Sequence, residues 1–341
     1  MVSLHRNSSW LFLLSNRLVV TAAIAAVYAS SMIAAAAQPA GRTVTIGYLG
    51  NSSPSLESDL VEAFRDGLRQ LGYVEGRNLI LKFKWAEGQQ ERHSALAREL
   101  VRLKPDVILT GGTPGTLAAK QATQSIPIVA ALVGDPVGAG LVSSLAKPGG
   151  NVTGLSGFTP ELEGKRLELL KEAVPKLSQV AVLRNPDNPV TTINWKAMQL
   201  AAEALGAKLQ PVDARGPHDL DLAFAKIKAA HPDGLAIIAD RFLFTYRLSI
   251  VQFVVKNRLP GIFPYREFAQ EGALMAYGPD FADMYRRAAT YVDKILKGAK
   301  PGDLPVEQPT KFELVINMKT ANTLGIKISN SILVRATKVI E

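Results

Sequence analysis

The chain contains no cysteine and only four histidines among its 341 residues. The absence of cysteine excludes disulfide bonds, thiolate nucleophiles, cysteine-ligated zinc or iron–sulfur sites and the lipid anchor of a lipoprotein. The histidines lie far apart and show no paired ligand spacing; they are His5, His93, His218 and His231. We therefore expect no metal site and no cofactor.

Clusters of one charge sign are also absent. The formal net charge is +9, but basic and acidic residues are mixed, as in EGKRLELLKE at 163–172. Such mixing is typical of solvated helix faces, whereas a nucleic-acid-binding surface concentrates Lys and Arg on one face or stripe. We expect no nucleic-acid partner. Hydrophobic residues make up 47% of the chain, which is enough for a core in each of two domains.

Acidic residues are missing from the first 40 positions. Arg6 and Arg17 precede an apolar run of about 20 residues that ends in small side chains, which is the pattern of a secretory signal peptide. We expect residues 1–37 to form this peptide, with cleavage after Ala37 or after Ala40. A permanent membrane anchor is the alternative, because a run of this length just spans a bilayer.

From residue 43 onward, short apolar runs alternate with helical patterns. The predicted strands lie at 43–49, 78–85, 105–110, 126–132, 179–183, 207–213, 233–239, 261–265 and 273–278. The predicted helices lie at 58–72, about 92–103, from 114 onward, 191–205, 219–230, 249–257 and 283–298. Alternation of this kind predicts parallel sheets covered by helices on both sides.

The alternating pattern occurs twice, which predicts an α/β fold of two doubly wound parallel-sheet lobes. The helix at 283–298 and the elements after it return the chain to the first lobe and then to the second, so that several crossings form a hinge. We therefore expect an N-terminal lobe of residues 42–155 plus about 279–308 and a C-terminal lobe of residues 156–278 plus about 309–341. The ligand cleft is expected between them.

The stretch TGGTPGT at 110–116 connects a predicted strand to a predicted helix. It lacks the lysine of a P-loop and the spacing of a dinucleotide fingerprint. Thr113 is placed to cap the helix and Pro114 to occupy its first position, so that Gly115 and Thr116 present backbone N–H groups at the positive end of the helix dipole. A carboxylate is well held there, with the threonine hydroxyls as added donors. The alternative is an ordinary capped helix without a ligand.

Other polar residues stand where predicted strands end. They are Asp135 in the first half, and Asn185, Asp187, Asn188 and Asp240 in the second. In open α/β sheets ligands lie beyond the carboxyl ends of the strands, so these residues are candidates for ligand contact. Turn formation is the alternative, because turns use Asn and Asp for their own geometry. Tyr277 is a further candidate, either as a wall of the cleft or as core.

No catalytic constellation is apparent. GLSGF at 154–158 lacks the spacing of a nucleophile elbow, no histidine lies near a strand-end serine, and no carboxylate pair stands out. We therefore predict no catalytic residues and no enzyme activity. A periplasmic enzyme that uses the same cleft is the alternative.

Long blocks of the sequence resemble the substrate-binding proteins of ABC transporters that are often labelled tryptophan/tyrosine transport binding proteins. The matching blocks are FRDGLRQLGYVEGRNL, WAEGQQERHSALARELVRLKPDVILTGGTP, VGDPVGAGLVSSLAKPGGNVTGLS, GKRLELLKEAVP and the stretch from YGPDF to NTLGI. They follow in order and spacing over nearly all of residues 43–329.

The resemblance implies a type I periplasmic binding protein fold with three crossings between the lobes. It also implies a monomer in the periplasm that binds an amino acid or related carboxylate and delivers it to an ABC permease in the inner membrane. The carboxylate would lie on the loop from Gly112 to Thr116, and the loops around Asp135, Asn185 and Asp240 would supply other polar contacts. A sensor subunit that presents the ligand to a receptor is the alternative.

Overall fold

A computed structural model describes residues 42–158 and 160–341, without the side chain of Phe158. The predicted signal peptide lies outside the described residues. Within them, no helix is both long enough and apolar enough to cross a bilayer.

Five strands form the first sheet, in the order β2-β1-β3-β4-β5, and all neighbours run parallel. The strands are β1 Val44–Gly50, β2 Leu79–Trp85, β3 Val107–Gly111, β4 Ile128–Gly134 and β5 Val152–Phe158. Every residue of β3 and β4 is buried. Central parallel strands are covered on both faces, which is why these strands consist mostly of Val, Ile, Leu and Ala.

Two helices cover each face of this sheet. Ser58–Gln70 and Phe281–Leu296 pack together on one face. His93–Arg102, which follows the short 3-10 helix Gln90–Arg92, and Thr113–Ala122 cover the other. These helices and the five-stranded sheet form the first lobe.

Gly67 allows the close contact between Ser58–Gln70 and Phe281–Leu296. A Cβ atom at Gly67 would lie 2.5 Å from the carbonyl oxygen of Arg286 and 2.8 Å from the Cβ of Ala289. We expect Gly67→Ala to lower the free energy of unfolding by about 1–3 kcal/mol through overpacking, although alanine favours the helix itself. Urea-induced unfolding measures this change.

Gly150→Ala is the control, because an added Cβ would meet no heavy atom of the described residues within 4 Å. It should change the free energy of unfolding by less than about 0.5 kcal/mol. Equal stability of both variants would show that the helix contact at Gly67 is not tight.

Seven strands form the second sheet, in the order β12-β11-β10-β9-β8-β6-β7. The strands are β6 Gln179–Arg184, β7 Lys208–Asp213, β8 Gly234–Ile237, β9 Gly261–Phe263, β10 Met275–Pro279, β11 Phe312–Asn317 and β12 Lys338–Ile340. β10 and β11 are antiparallel and the other neighbouring pairs are parallel. The helices of this second lobe are Pro160–Ala173, Thr191–Ala204, Pro217–Ala230, Arg241–Thr245, Arg247–Lys256, Arg266–Gln270, Met318–Leu324 and Asn330–Arg335.

The described chain passes between the two sheets after β5, after β10 and before β11. On the last passage, after the 3-10 helix Pro301–Asp303, the backbone of Glu307 runs beside β5. Its N–H donates to the carbonyl of Gly154 at 3.0 Å, and its carbonyl accepts from Ser156 at 2.8 Å. The α/β fold with parallel sheets in two lobes is confirmed, with the antiparallel pair β10–β11 as the exception in the second sheet.

Some predicted elements were wrong in detail. β5 and the five-residue helices Arg241–Thr245 and Arg266–Gln270 were not predicted. The strand predicted to reach residue 265 ends at Phe263, because the chain turns at Pro264 into the second of these helices.

Candidate functional site

The order of the strands fixes where a ligand site can form. In β2-β1-β3 and again in β7-β6-β8, successive strands lie on opposite sides of a central strand. The helix that follows the central strand (β1 or β6) and the helix that follows the last strand of the set (β3 or β8) diverge. This leaves a crevice at the carboxyl ends of the strands. Asn51 follows β1 and Gly112 follows β3; in the second lobe Asn185 follows β6 and Asp240 lies beyond β8.

Residues from both crevices line one pocket. They are Asn51, Gly88, Gln90, His93 and Pro114 of the first lobe, and Asp240, Arg241 and Phe242 of the second. The pocket encloses ≈ 10 Å³, about the space of one water molecule. The lobes touch beside it, where the hydroxyls of Ser52 and Thr245 lie 2.7 Å apart. A solute of amino-acid size therefore requires the lobes or the lining side chains to move.

A buried ion pair joins the two lobes at this pocket. Nη2 of Arg241 donates to Oε1 of Glu57 at 2.9 Å, and the two side chains are 4% and 0% exposed. Glu57 also accepts from the Tyr48 hydroxyl at 2.8 Å and from the backbone N–H groups of Asn51 and Ser52 at 3.1 and 2.8 Å. Glu57 is thus held by the first lobe in the position that receives Arg241.

Arg241 lines the pocket and has donors that the hydrogen bond to Glu57 does not use. Within the described chain, its Nε and Nη1 atoms are buried and have no partner in hydrogen-bonding geometry, although the Tyr265 side chain lies close enough to interact with the guanidinium. Burial by itself lowers the pKa of Arg241, but the charge of Glu57 and the nearby tyrosines raise it by a larger amount. The net pKa is raised, so the guanidinium stays charged. Its Cγ lies 2.7 Å from the place of a Cβ on Gly112, beside the start of Thr113–Ala122. A buried cation with unused donors beside a helix N-terminus suits a carboxylate.

Asp240 supports the helix that carries Arg241. It is 2% exposed, and its Oδ1 accepts from the backbone N–H of Leu243 at 3.1 Å as the N-cap of Arg241–Thr245. Its Oδ2 accepts from the side-chain amides of Asn185 at 3.2 Å and Asn188 at 2.8 Å. Burial raises the pKa of Asp240, and these hydrogen bonds oppose the shift. The structure thus brings together three of the polar residues predicted at strand ends.

The start of Thr113–Ala122 differs from the prediction. Gly112, with φ 81°, is the N-cap, so Thr113 is the first helical residue and Pro114 the second. The Thr113 hydroxyl bonds to the backbone of Gly134, and the Thr116 hydroxyl donates to the Gly112 carbonyl at 2.8 Å. The backbone N–H of Thr116 is also used, at 3.2 Å from the same carbonyl. The amide of Gly115, in the first turn, has no intrahelical acceptor and is the better candidate donor.

Of the predicted site residues, Pro114 and Asp240 line the pocket. Three of the others have contacts that explain their positions without a ligand. Asp135 is half-buried and its carboxylate accepts a backbone N–H of its own turn. Asp187 is exposed and lies 3.6 Å from Arg215. Tyr277 stacks on Phe312, with ring centroids 6.2 Å apart. For Asp135 and Asp187 the structure shows turn and surface contacts, and for Tyr277 it shows packing against the second-lobe core.

Sequence reasoning did not single out Arg241, Glu57, Asn51 or His93. Arg241 stands next to Asp240 at the end of a predicted strand, so the sequence indicated its place near the crevice. An arginine in a turn is usually solvated, however, and its burial was not predicted. Glu57 lies in the loop after β1, and nothing in its neighbourhood indicates complete burial. Position at a strand end was the available signal for Asn51 as well.

Comparisons with known proteins agree with this architecture. The family profile described as ABC transporter substrate binding protein matches residues 52–340. A tyrosine-binding protein of Clostridioides difficile (strain R20291) is 28% identical over 274 residues, which are 80% of this chain and 78% of that protein.

Two solved structures are similar over the same region. The crystal structure of an ABC domain in complex with L-Trp from Streptococcus pneumonia has a TM-score of 0.81 at 27% identity, over 87% of this chain and 100% of that one. The ligand-free, open structure of a substrate binding protein with adhesive properties from Clostridium difficile has a TM-score of 0.63 at 25% identity, over 87% and 99% of the chains.

Proposed function

The chain belongs to the ABC transporter substrate binding protein family, and we propose that it captures an amino acid between its lobes and delivers it to an ABC permease in the inner membrane. It works in the periplasm as a monomer, after removal of residues 1–37. The observation that carries the proposal is the buried guanidinium of Arg241, which has unused donors beside the start of Thr113–Ala122.

The ligand's carboxylate would be bound from both lobes. Arg241 supplies a charge from the second lobe, and the first-turn amide of Gly115 supplies a backbone donor from the first. Charge-assisted hydrogen bonds of this kind are about twice as strong as neutral ones. The relatives described as binding tyrosine and L-Trp support an amino acid with an aromatic side chain, for which Phe242 offers an apolar contact in the pocket.

Capture would occur by closure of the lobes. The lobes are residues 42–155 with about 279–308 and residues 156–278 with about 309–341, hinged at the three crossings. A ligand that contacts both lobes favours the closed arrangement, because it binds that arrangement more tightly. The two solved relatives support this mechanism. The two relatives are similarly distant in sequence, at 27% and 25% identity with this chain. The TM-score is nevertheless higher with the L-Trp complex, at 0.81, than with the open, ligand-free structure, at 0.63.

Thermal unfolding in the presence of amino acids tests the proposal. The protein is first unfolded and refolded to remove carried-over ligand, and then screened against L-amino acids. We expect at least one of them, with L-tyrosine and L-tryptophan as first candidates, to stabilise the protein. A ligand present at 100 times its Kd adds about 2.7 kcal/mol to the free energy of unfolding.

The amino alcohols L-tyrosinol and L-tryptophanol are the matched controls, because they keep the amine and the ring but lack the carboxylate. They should stabilise the protein far less than the parent amino acids. Stabilisation by no amino acid, or equal stabilisation by the alcohols, would contradict the proposed carboxylate site.

A further inference from the structure

His93 lines the same pocket and opens the helix His93–Arg102. It is 4% exposed, and its Nδ1 lies 3.0 Å from the carbonyl oxygen of Gln90. Because a carbonyl oxygen only accepts, Nδ1 carries the proton and the neutral ring presents a lone pair at Nε2. Nε2 is buried and has no hydrogen-bond partner in the part of the chain that the structure describes.

The position of Nε2 fits the amine of an α-amino acid. It lies 3.5 Å from the place of a Cβ on Gly115, which is beside the first turn of Thr113–Ala122. In an α-amino acid whose carboxylate is bound at this turn, the amine is attached to the neighbouring α-carbon and therefore lies close by. Asp240, the carboxylate in the pocket lining, already accepts three hydrogen bonds from its own lobe. Two acceptors lie equally near the expected amine, because Nε2 of His93 and Oδ1 of Asn51 are each 3.5 Å from the place of a Cβ on Gly115. Of the two, Nε2 of His93 is the fully buried one that lacks a partner within the described chain.

We propose that Nε2 of His93 accepts a hydrogen bond from the α-ammonium group of the ligand, and thereby selects α-amino acids over carboxylic acids that lack an amine. The inference rests on the proposed function, since it takes the ligand's carboxylate to lie beside Arg241. It assigns a specificity-determining role to His93, whose burial by itself would suggest only a packed core histidine.

Binding should then weaken in acid. Burial lowers the pKa of His93 from its usual 6.5, against the opposing effects of the Gln90 carbonyl, Glu57 and Glu91. Protonation fills the lone pair of Nε2 and adds a positive charge next to the ammonium group. Affinity for an amino acid therefore falls as the pH falls below 6.5 through this pKa. Arg241 stays charged over the range, whereas Asp240 also titrates in acid from a raised pKa.

Two variants separate the two ring nitrogens. His93→Asn keeps an amide near Nδ1 and leaves nothing at Nε2, whereas His93→Gln places an amide oxygen near Nε2. Calorimetric titration at neutral pH compares L-tyrosine and L-tryptophan with their deaminated acids, 3-(4-hydroxyphenyl)propionate and indole-3-propionate. We expect His93→Asn to lower amino-acid affinity about tenfold, as for one lost hydrogen bond to a charged group. The deaminated acids should lose less than about twofold by the same reasoning.

His93→Gln should recover most of the amino-acid affinity and lose the acid-dependent decrease that His93 causes. Any pH dependence left in His93→Gln comes from other titrating groups, of which Asp240 lines the pocket. Thermal unfolding of both variants confirms that they fold. An equal loss for amino acids and deaminated acids in His93→Asn, or no loss for either, would overturn the inference while leaving the carboxylate site intact. Failure of the wild-type protein to bind any amino acid would instead overturn the proposed function.

Discussion

Arg241→Met is expected to lower the affinity for the amino-acid ligand by about 100-fold or more. Truncating one partner of a buried, hydrogen-bonded charge pair costs about 2–5 kcal/mol, and here the loss has two parts. The ligand's carboxylate loses its cation, and Glu57, which is fully buried, loses the guanidinium that compensates its charge. Calorimetric titration of the refolded variant with L-tyrosine and L-tryptophan measures the change.

Arg247→Met is the matched control. Arg247 stacks on Phe244 at 4.4 Å, where Arg241 stacks at 4.5 Å, but it pairs with Glu271 at 2.9 Å and does not line the pocket. The control loses the same kind of ring contact and should keep ligand affinity within about threefold. Similar losses in both variants would show that Arg241 acts through packing, and wild-type affinity in Arg241→Met would remove it from the site.

Glu163→Leu is expected to lower the free energy of unfolding by about 3–5 kcal/mol, because it leaves a buried arginine without its counter-charge. The side chains of Glu163 and Arg166 are both 0% exposed, and Nη2 of Arg166 lies 2.5 Å from Oε1 of Glu163. Burial raises the pKa of Glu163, and the charge of Arg166 opposes that shift. Nη1 of Arg166 also donates to the carbonyl of Tyr277 in β10 at 3.1 Å. The pair therefore joins the helix Pro160–Ala173, which follows the first crossing between the lobes, to β10, which precedes the second crossing.

Urea-induced unfolding measures this effect, and two further variants test its cause. The double variant Glu163→Leu with Arg166→Met should recover most of the stability, since an apolar pair replaces a buried ion pair at little cost. Glu172→Leu, on the same helix, breaks the partly exposed pair with Arg335 and should cost less than about 1 kcal/mol. A double variant no more stable than Glu163→Leu would mean that volume, not charge, explains the loss.

The sequence predicted the fold well where burial is uniform along a strand. β3 and β4 are buried at every residue, so their apolar runs are unambiguous. The helices Arg241–Thr245 and Arg266–Gln270 were missed because five residues are too short to show a helical period. β5, whose sequence VTGLSGF contains two glycines, resembles a loop until its pairing with β4 is known.

The candidate site was predictable in its location and less so in its members. Asn185 and Asp240 meet because strand ends at a switch point converge, which the alternating pattern already indicates. The ion pair of Arg241 with Glu57 spans 184 positions and depends on burial from both lobes, which no local pattern reveals. The hydroxyl of Thr113 bonds to Gly134 at the end of β4, a partner 21 positions away that no local pattern reveals. The hydroxyl of Thr116 bonds instead to Gly112, within its own turn.

Closure of the lobes around an amino acid is the central claim, and the distance between the lobes tests it most directly. The chain has no cysteine, so spin labels can be placed uniquely at Val137→Cys in the first lobe and Ile193→Cys in the second, both on exposed residues. Electron spin resonance then measures their separation in refolded protein with and without saturating L-tyrosine or L-tryptophan. We predict that ligand gives a short, narrow distance distribution and that its removal gives a longer or broader one. Identical distributions with and without a ligand that calorimetry shows to be bound would contradict capture by closure.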